Sequence, residues 1–225
     1  MIGRRQLLLT AYIDTRQMFP PERHSKGGDG PGMHIIAEYS HKRGKDFVLK
    51  NHREEFGEIK QVIRRVNAER LKTKRSKEKT MPGQMLYSPI ELNSEYEKEF
   101  GQLGWEGRRI RMTTTIPEIQ ETHIGFREID FVKNKLGVEI QFGKYAFMVY
   151  NILAKMTIFS NKGIIDSGVE IVAMRTLTNE MSTGVSYFEQ VKTDLEYRGV
   201  GDIDVPVLVL GVDAVVRPHP TREEH

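Results

Sequence analysis

The chain has 225 residues, no cysteine, and 34 lysines and arginines against 31 aspartates and glutamates, a net charge of +3. That length suits one domain with a sizeable core, and the lack of cysteine excludes a disulfide scaffold and any thiolate metal site. The lack of cysteine also suits a reducing cytoplasm, no apolar run approaches the length of a membrane span, and with so small a net charge any affinity for nucleic acid must come from local basic clusters.

Residues 1–32 hold strong breakers, Pro20-Pro21 and the run Lys26-Gly27-Gly28-Asp29-Gly30-Pro31-Gly32. They are expected to form a disordered or peripheral extension, with Met33 as the biological start or Leu7 to Ile13 as a genuine strand left as alternatives. His34 to Tyr39 alternates and predicts a strand. Asn51 to Leu71 predicts a helix, because Phe56, Ile59, Ile63 and Val66 recur every three or four residues. Arg70 to Lys79 carries Lys72, Lys74, Arg75 and Lys77 with Glu78 as its only acid, ahead of Pro82-Gly83. Such a run is a solvated surface or a loop that follows a phosphate backbone. Glu91 to Leu103 predicts a helix capped by Asn93 or Ser94, and Trp105 is expected to be packed.

The most informative stretch is Arg127 to Phe147. Two apolar runs flank a polar turn, Lys133-Asn134-Lys135, which predicts a hairpin. Residues two apart on a strand share a face, so Glu139 and Gln141 go together and Ile140 and Phe142 take the other side. A closed hairpin brings Asp130 opposite Glu139. Adjacent carboxylates repel unless a cation sits between them, and oxygen ligands favour a hard ion such as Mg²⁺. The competing reading has Asp130 ending a strand and Glu139 pairing with Lys133 or Lys135.

Gly143 to Phe159 predicts a largely buried helix with Lys144 at its start, facing anions. Val169 to Met174 predicts a strand. Ser182-Thr183-Gly184 reads as a polar loop before a helix over Val185 to Tyr197, with Ser182 and Thr183 available to cap that helix. Val205 to Val212 predicts a buried strand, and 217–225 a disordered tail. None of the seven histidines forms a pattern; His123 is placed on a loop.

Ile129-Asp130-Phe131 and, further on, Val138-Glu139-Ile140-Gln141-Phe142-Gly143-Lys144-Tyr145 resemble the active-site segment of type II restriction endonucleases of the BglII and BstYI group, BstYI more closely. The resemblance extends to Lys74 through Pro89, to Val169-Glu170-Ile171 and to Glu180 through Tyr187. It covers about Met33 to Val212. It implies one endonuclease domain over 33–216 with an α/β, restriction-endonuclease-like PD-(D/E)xK core: a mixed central sheet flanked by helices, as in BamHI and BglII. It also implies a homodimer on double-stranded DNA, a six-base site centred on GATC (RGATCY-, AGATCT- or GGATCC-like), and a 5′ overhang of four bases. A cognate DNA methyltransferase would protect the host.

On that resemblance Asp130, Glu139 and Gln141 are the catalytic residues. Asp130, Glu139 and the Ile140 carbonyl are the Mg²⁺ ligands. Lys144, Ser182, Thr183, Lys74 and Lys77 contact DNA. The wider superfamily has lysine where Gln141 stands; an amide cannot take a proton, so Gln141 is expected to position water. A further polar group from Thr115, Glu118 or Glu121 is left open. The rival readings are a DNA-binding protein without catalysis and a junction resolvase, the latter weakened because resolvases usually keep the lysine.

Overall fold

The computed structural model describes residues 32–144, 150–198 and 205–215. The predicted strand Leu7 to Ile13 and the tail 217–225 lie outside the described residues. A six-stranded mixed sheet organises the rest. Its strands are β1 (His34–His41), β4 (Glu106–Ile116), β5 (Glu121–Lys133), β6 (Leu136–Gln141), β7 (Ser167–Ala173) and β8 (Val207–Asp213), in the order β1-β8-β7-β6-β5-β4. A two-stranded ribbon of β2 (Lys74–Arg75) and β3 (Met85–Leu86) stands apart from it.

The pairings follow from turn chemistry and burial. Asn134 and Lys135 join β5 to β6 with φ angles of 47° and 69°, both left-handed. A two-residue turn of that hand matches the twist of the strands it joins, so the predicted hairpin closes antiparallel. β6, β7 and β8 run parallel and are buried along their whole length, as strands covered on both faces must be.

Two apolar clusters lie on the two faces. Val138, Ile140, Val169, Ile171, Leu208 and Leu210 join the cluster that also holds Phe56, Ile59 and Ile63 of α2 (Arg53–Arg65) and Tyr96 and Phe100 of α3 (Pro89–Gln102). Val172, Val207 and Val209 join the other, with Met156 and Phe159 of α4 (Met156–Asn161) and Val191 and Leu195 of α5 (Phe188–Arg198). Trp105 is packed as expected, and its indole N–H donates to Glu58 Oε2 at 2.8 Å.

Several boundaries differ from expectation, each for a local reason. The helix predicted over Asn51 to Leu71 is three pieces: α1 (Gly44–Asn51), α2, and a 3₁₀ turn (Ala68–Leu71). α2 stops because Val66 turns extended and its carbonyl accepts the Met33 amide at 2.9 Å. Gly32 bridges Asn67 there, and a Cβ at Gly32 would lie 1.9 Å from the Arg64 carbonyl oxygen, so only glycine lets the backbone approach. α3 is capped by Ser88, whose hydroxyl accepts the Glu91 amide at 3.4 Å; Asn93 and Ser94 lie within the helix. The helix expected from Val185 begins at Phe188, so Ser182 and Thr183 do not cap it. Lys144 forms an isolated bridge with Val185; the start of the helix expected after it lies outside the described residues, and its described part runs from Tyr150 through a π turn (Asn151–Lys155) into α4. Phe147 and Val149 lie outside the described residues. His123 is on β5, not on a loop. Among the described residues no helix is long and apolar enough to cross a membrane.

Candidate active site

Regular pairing between β5 and β6 ends at Phe131↔Val138. One step further, Asp130 and Glu139 are the residues the register brings together. The ladder gives way there to a side chain: Asp130 Oδ2, not a backbone carbonyl, accepts the Ile140 amide at 2.9 Å. The opening holds a cleft of about 580 Å³ lined by Asn93, Glu97, Trp105, Glu128, Asp130 and Ile140. Glu139 does not pair with Lys133 or Lys135. Lys133 is engaged by Glu58 at 2.7 Å.

Lys155 is the partner of Glu139. Its Nζ lies 2.8 Å from Glu139 Oε2, with only 13 % of the lysine side chain and 1 % of the glutamate side chain exposed. Asn151, four residues earlier and on the same π turn, is buried and donates from Nδ2 to Gln141 Oε1 at 3.3 Å and to Glu170 Oε1 at 3.4 Å. The other end of the Gln141 amide donates to the Lys144 carbonyl at 3.3 Å. A π turn inserted before a helix is a common feature of functional sites; here it turns Asn151 and Lys155 toward the acidic strands. Glu170 is level with Glu139 on the parallel neighbour β7 and is fully buried. Sequence reasoning assigned no role to Asn151, Lys155 or Glu170. The available signals were a polar pair four residues apart in an apolar helix, and one acid in the apolar strand Val169 to Ala173.

Burial dominates the electrostatics. It raises Asp130 above the ordinary aspartate range, opposed by the Ile140 amide and the Lys155 charge. Burial and the neighbouring Asp130 push Glu139 up to about 8, against the pull of Lys155. Glu170 is raised as well, by burial and then by Glu139. Two carboxyls buried this close titrate as a pair, and one proton shared between them relieves the repulsion that raises Glu139. Glu139 Oε1 and Glu170 Oε2 are buried with no hydrogen-bond partner.

A divalent cation fits that description. It would take the place of the shared proton and satisfy the orphaned oxygen. Among the described residues no group of three or more His, Cys, Asp or Glu side chains could hold an ion. A site here therefore rests on two carboxylates, a main-chain oxygen and a substrate phosphate, which is an ordinary donor set for Mg²⁺.

The remaining candidates divide. Lys74 donates to Ser182 Oγ, so two of the expected DNA-contacting residues meet. Thr183 donates from its amide to Glu78 Oε1 at 3.1 Å and from its hydroxyl to Glu78 Oε2. Lys77 and Lys144 are exposed. The Gly143 carbonyl accepts both the Ser186 amide, at 3.0 Å, and the Ser186 hydroxyl, at 3.1 Å, which ties the segment after the catalytic strand to the one after Thr183. Thr115, Glu118 and Glu121 are exposed and lie at the far end of the β4–β5 hairpin. Nine residues of strand separate Glu121 from Asp130, about 30 Å at the usual rise. Asn93, Glu97 and Glu128 are the polar residues that share the cleft with Asp130.

Residues 36–212 match the family model for restriction endonuclease BglII/BglIII. No curated protein sequence matches the chain. Among solved structures it is similar to restriction endonuclease BglII complexed with a DNA 16-mer, with 19 % identity, a TM-score of 0.55, and 80 % of this chain and 75 % of that chain covered. Free BglII matches with 16 % identity and a TM-score of 0.50, covering 78 % of this chain and 77 % of that one. The mixed sheet flanked by helices is the BglII fold, and with the family match over most of its length this chain belongs to the restriction endonuclease BglII/BglIII family, as a type II site-specific deoxyribonuclease.

Proposed function

We propose that the protein hydrolyses double-stranded DNA in a Mg²⁺-dependent reaction at a short palindrome centred on GATC, of the RGATCY, AGATCT or GGATCC kind, and leaves a 5′ overhang of four bases. The observation that carries the reading is the convergence of Asp130 and Glu139 at the splayed end of β5 and β6, with Glu139 Oε1 buried and unpartnered. Family membership and the DNA complex of BglII support duplex DNA as the substrate. A palindrome is most simply read by a two-fold dimer with one site per strand. The reading places the enzyme in the cytoplasm, beside a methyltransferase that protects host DNA.

Asp130, Glu139 and the Ile140 carbonyl are the residues that would hold the ion. Bound there, Mg²⁺ supplies charge stabilisation for the phosphate and acidity for the attacking water. Asp130 is fixed by the Ile140 amide, and Glu139 by Lys155. The Gln141 amide, held at one end by Asn151 and at the other by the Lys144 carbonyl, orients the water and takes no proton. That proton leaves to solvent or to a phosphate oxygen of the substrate. Lys144, Ser182 and Thr183 meet the DNA near the site, while Lys74 and Lys77 meet its phosphates.

Plasmid DNA incubated with the protein and Mg²⁺ is expected to give discrete bands, and sequencing the ends is expected to give a GATC overhang. A gel shift with no cleavage under those conditions contradicts the proposal. Replacing Lys74 or Lys77 by alanine is expected to lower the salt slope of DNA binding by about 1 each, with the cleavage sequence unchanged. A slope equal to that of the unaltered protein would return both lysines to plain surface.

A further inference from the structure

The catalytic strands carry no positive charge where the chemistry would take place. Asp130, Glu139, Gln141 and Glu170 present three carboxyl groups and one amide. The charge arrives from the π turn, as Lys155. Burying an ammonium is costly, and a buried ion pair is a poor source of stability compared with apolar packing. Lys155 is nonetheless drawn in beside apolar Met156, with 13 % of its side chain exposed, and it donates to a single oxygen, Glu139 Oε2. The other oxygen, Oε1, is left bare. One turn thus holds both Gln141, through Asn151, and Glu139, through Lys155.

Resting on the two-carboxylate site proposed above, we infer that Lys155 is a positioning residue that engages Glu139 Oε2, leaves only Oε1 for a divalent ion, and so sets both the affinity for that ion and the aim of the carboxylate. Without Lys155, both Glu139 oxygens are free to bind the ion. At pH 9, where the carboxyl groups are ionised, binding then tightens, because a neighbouring positive charge has gone and a second oxygen is available. Cleavage slows, because the carboxylate is no longer aimed and the ion's charge is more fully neutralised. A merely structural lysine would not move these two quantities in opposite directions.

The test is a calorimetric Ca²⁺ titration of the full chain at pH 9 without DNA, together with single-turnover cleavage of a GATC-containing duplex at saturating Mg²⁺. Lys155→Gln, which keeps a hydrogen bond but not the charge, is expected to bind Ca²⁺ about tenfold tighter and to cleave about 100-fold more slowly. Lys155→Arg keeps the charge and is expected to stay within about threefold of the unaltered Ca²⁺ affinity while cleaving more slowly. Unchanged or weaker Ca²⁺ binding by Lys155→Gln, or cleavage at the full rate, overturns the inference. If only Lys155→Arg folds it decides alone, and full-rate cleavage overturns the inference. Glu139→Gln separates the two levels: if it keeps Ca²⁺ binding, the two-carboxylate site itself is wrong. If it loses binding while Lys155→Gln matches the unaltered protein, only the role of Lys155 fails.

Discussion

Asp130→Asn and Glu139→Gln are each expected to lower the single-turnover cleavage rate by about 10³-fold or more, with both proteins still binding cognate DNA in Ca²⁺. Each change preserves shape and removes one of the two charges proposed to grip the ion. A loss of that size corresponds to roughly 4 kcal/mol of transition-state stabilisation, the scale at which metal and oxyanion contacts act. DNA binding persists because removing a negative charge beside a phosphate relieves repulsion. Gln141→Ala is expected to cost less, about 10- to 100-fold, since the amide only orients water. Rapid-quench cleavage assays paired with gel shifts check all three. Full activity in either carboxylate variant would remove the proposed ion site.

In the presence of a chelator, the protein is expected to lose stability as pH rises, and Glu139→Gln to lose markedly less. The sign follows from the direction of the shift. Glu139 titrates at about 8 when folded, against 4.5 for an unperturbed glutamate. The folded state therefore holds a proton that the unfolded chain has released. The stability this gives is complete below about 4.5 and is lost as pH rises through about 8. Asp130 and Glu170 are raised too, so the variant keeps a residual slope. At about 1.4 kcal/mol per unit, with protons shared among neighbours, the difference in pH response is on the order of 3 kcal/mol. In a chain of this size that is roughly 10 °C in Tm. Mg²⁺ is expected to restore most of the loss at pH 9, since it occupies the deprotonated site. Scanning calorimetry at pH 5, 7 and 9 checks this. Parallel curves for the two proteins would mean that Glu139 does not hold a proton in the folded state.

The hairpin was legible because its signals are local. Alternation sets the faces of β6, and Asn134 accepts the left-handed backbone its turn needs. The strand at Val207 was legible from a continuous apolar run, which survives burial on both faces, and the strand at Val169 from a run broken only by Glu170. The helix ends were not. α2 stops where the backbone of Gly32 and Met33 docks against it, a contact more than thirty residues away along the chain. The second wall of the site was hidden for the same reason. Lys155 and Asn151 reach Glu139, Gln141 and Glu170 only because the chain returns across the sheet face between β6 and β7. In sequence, Lys155 is one lysine in an apolar helix, and its burial could not be read from spacing. The open question of Thr115, Glu118 and Glu121 resolves toward plain surface because β4 and β5 are long. Proximity along the chain became distance along a hairpin, and α3 brought Asn93 and Glu97 to the cleft in their place.

The most direct test is the position of Mn²⁺, by anomalous scattering, in a crystal of the protein with cognate duplex DNA. The expected result is a peak about 2.1 Å from one oxygen each of Asp130 and Glu139, with a phosphate oxygen completing the approach. A well-occupied Mn²⁺ elsewhere in the cleft, with those two carboxylates bound to each other or to Lys155 alone, would contradict it.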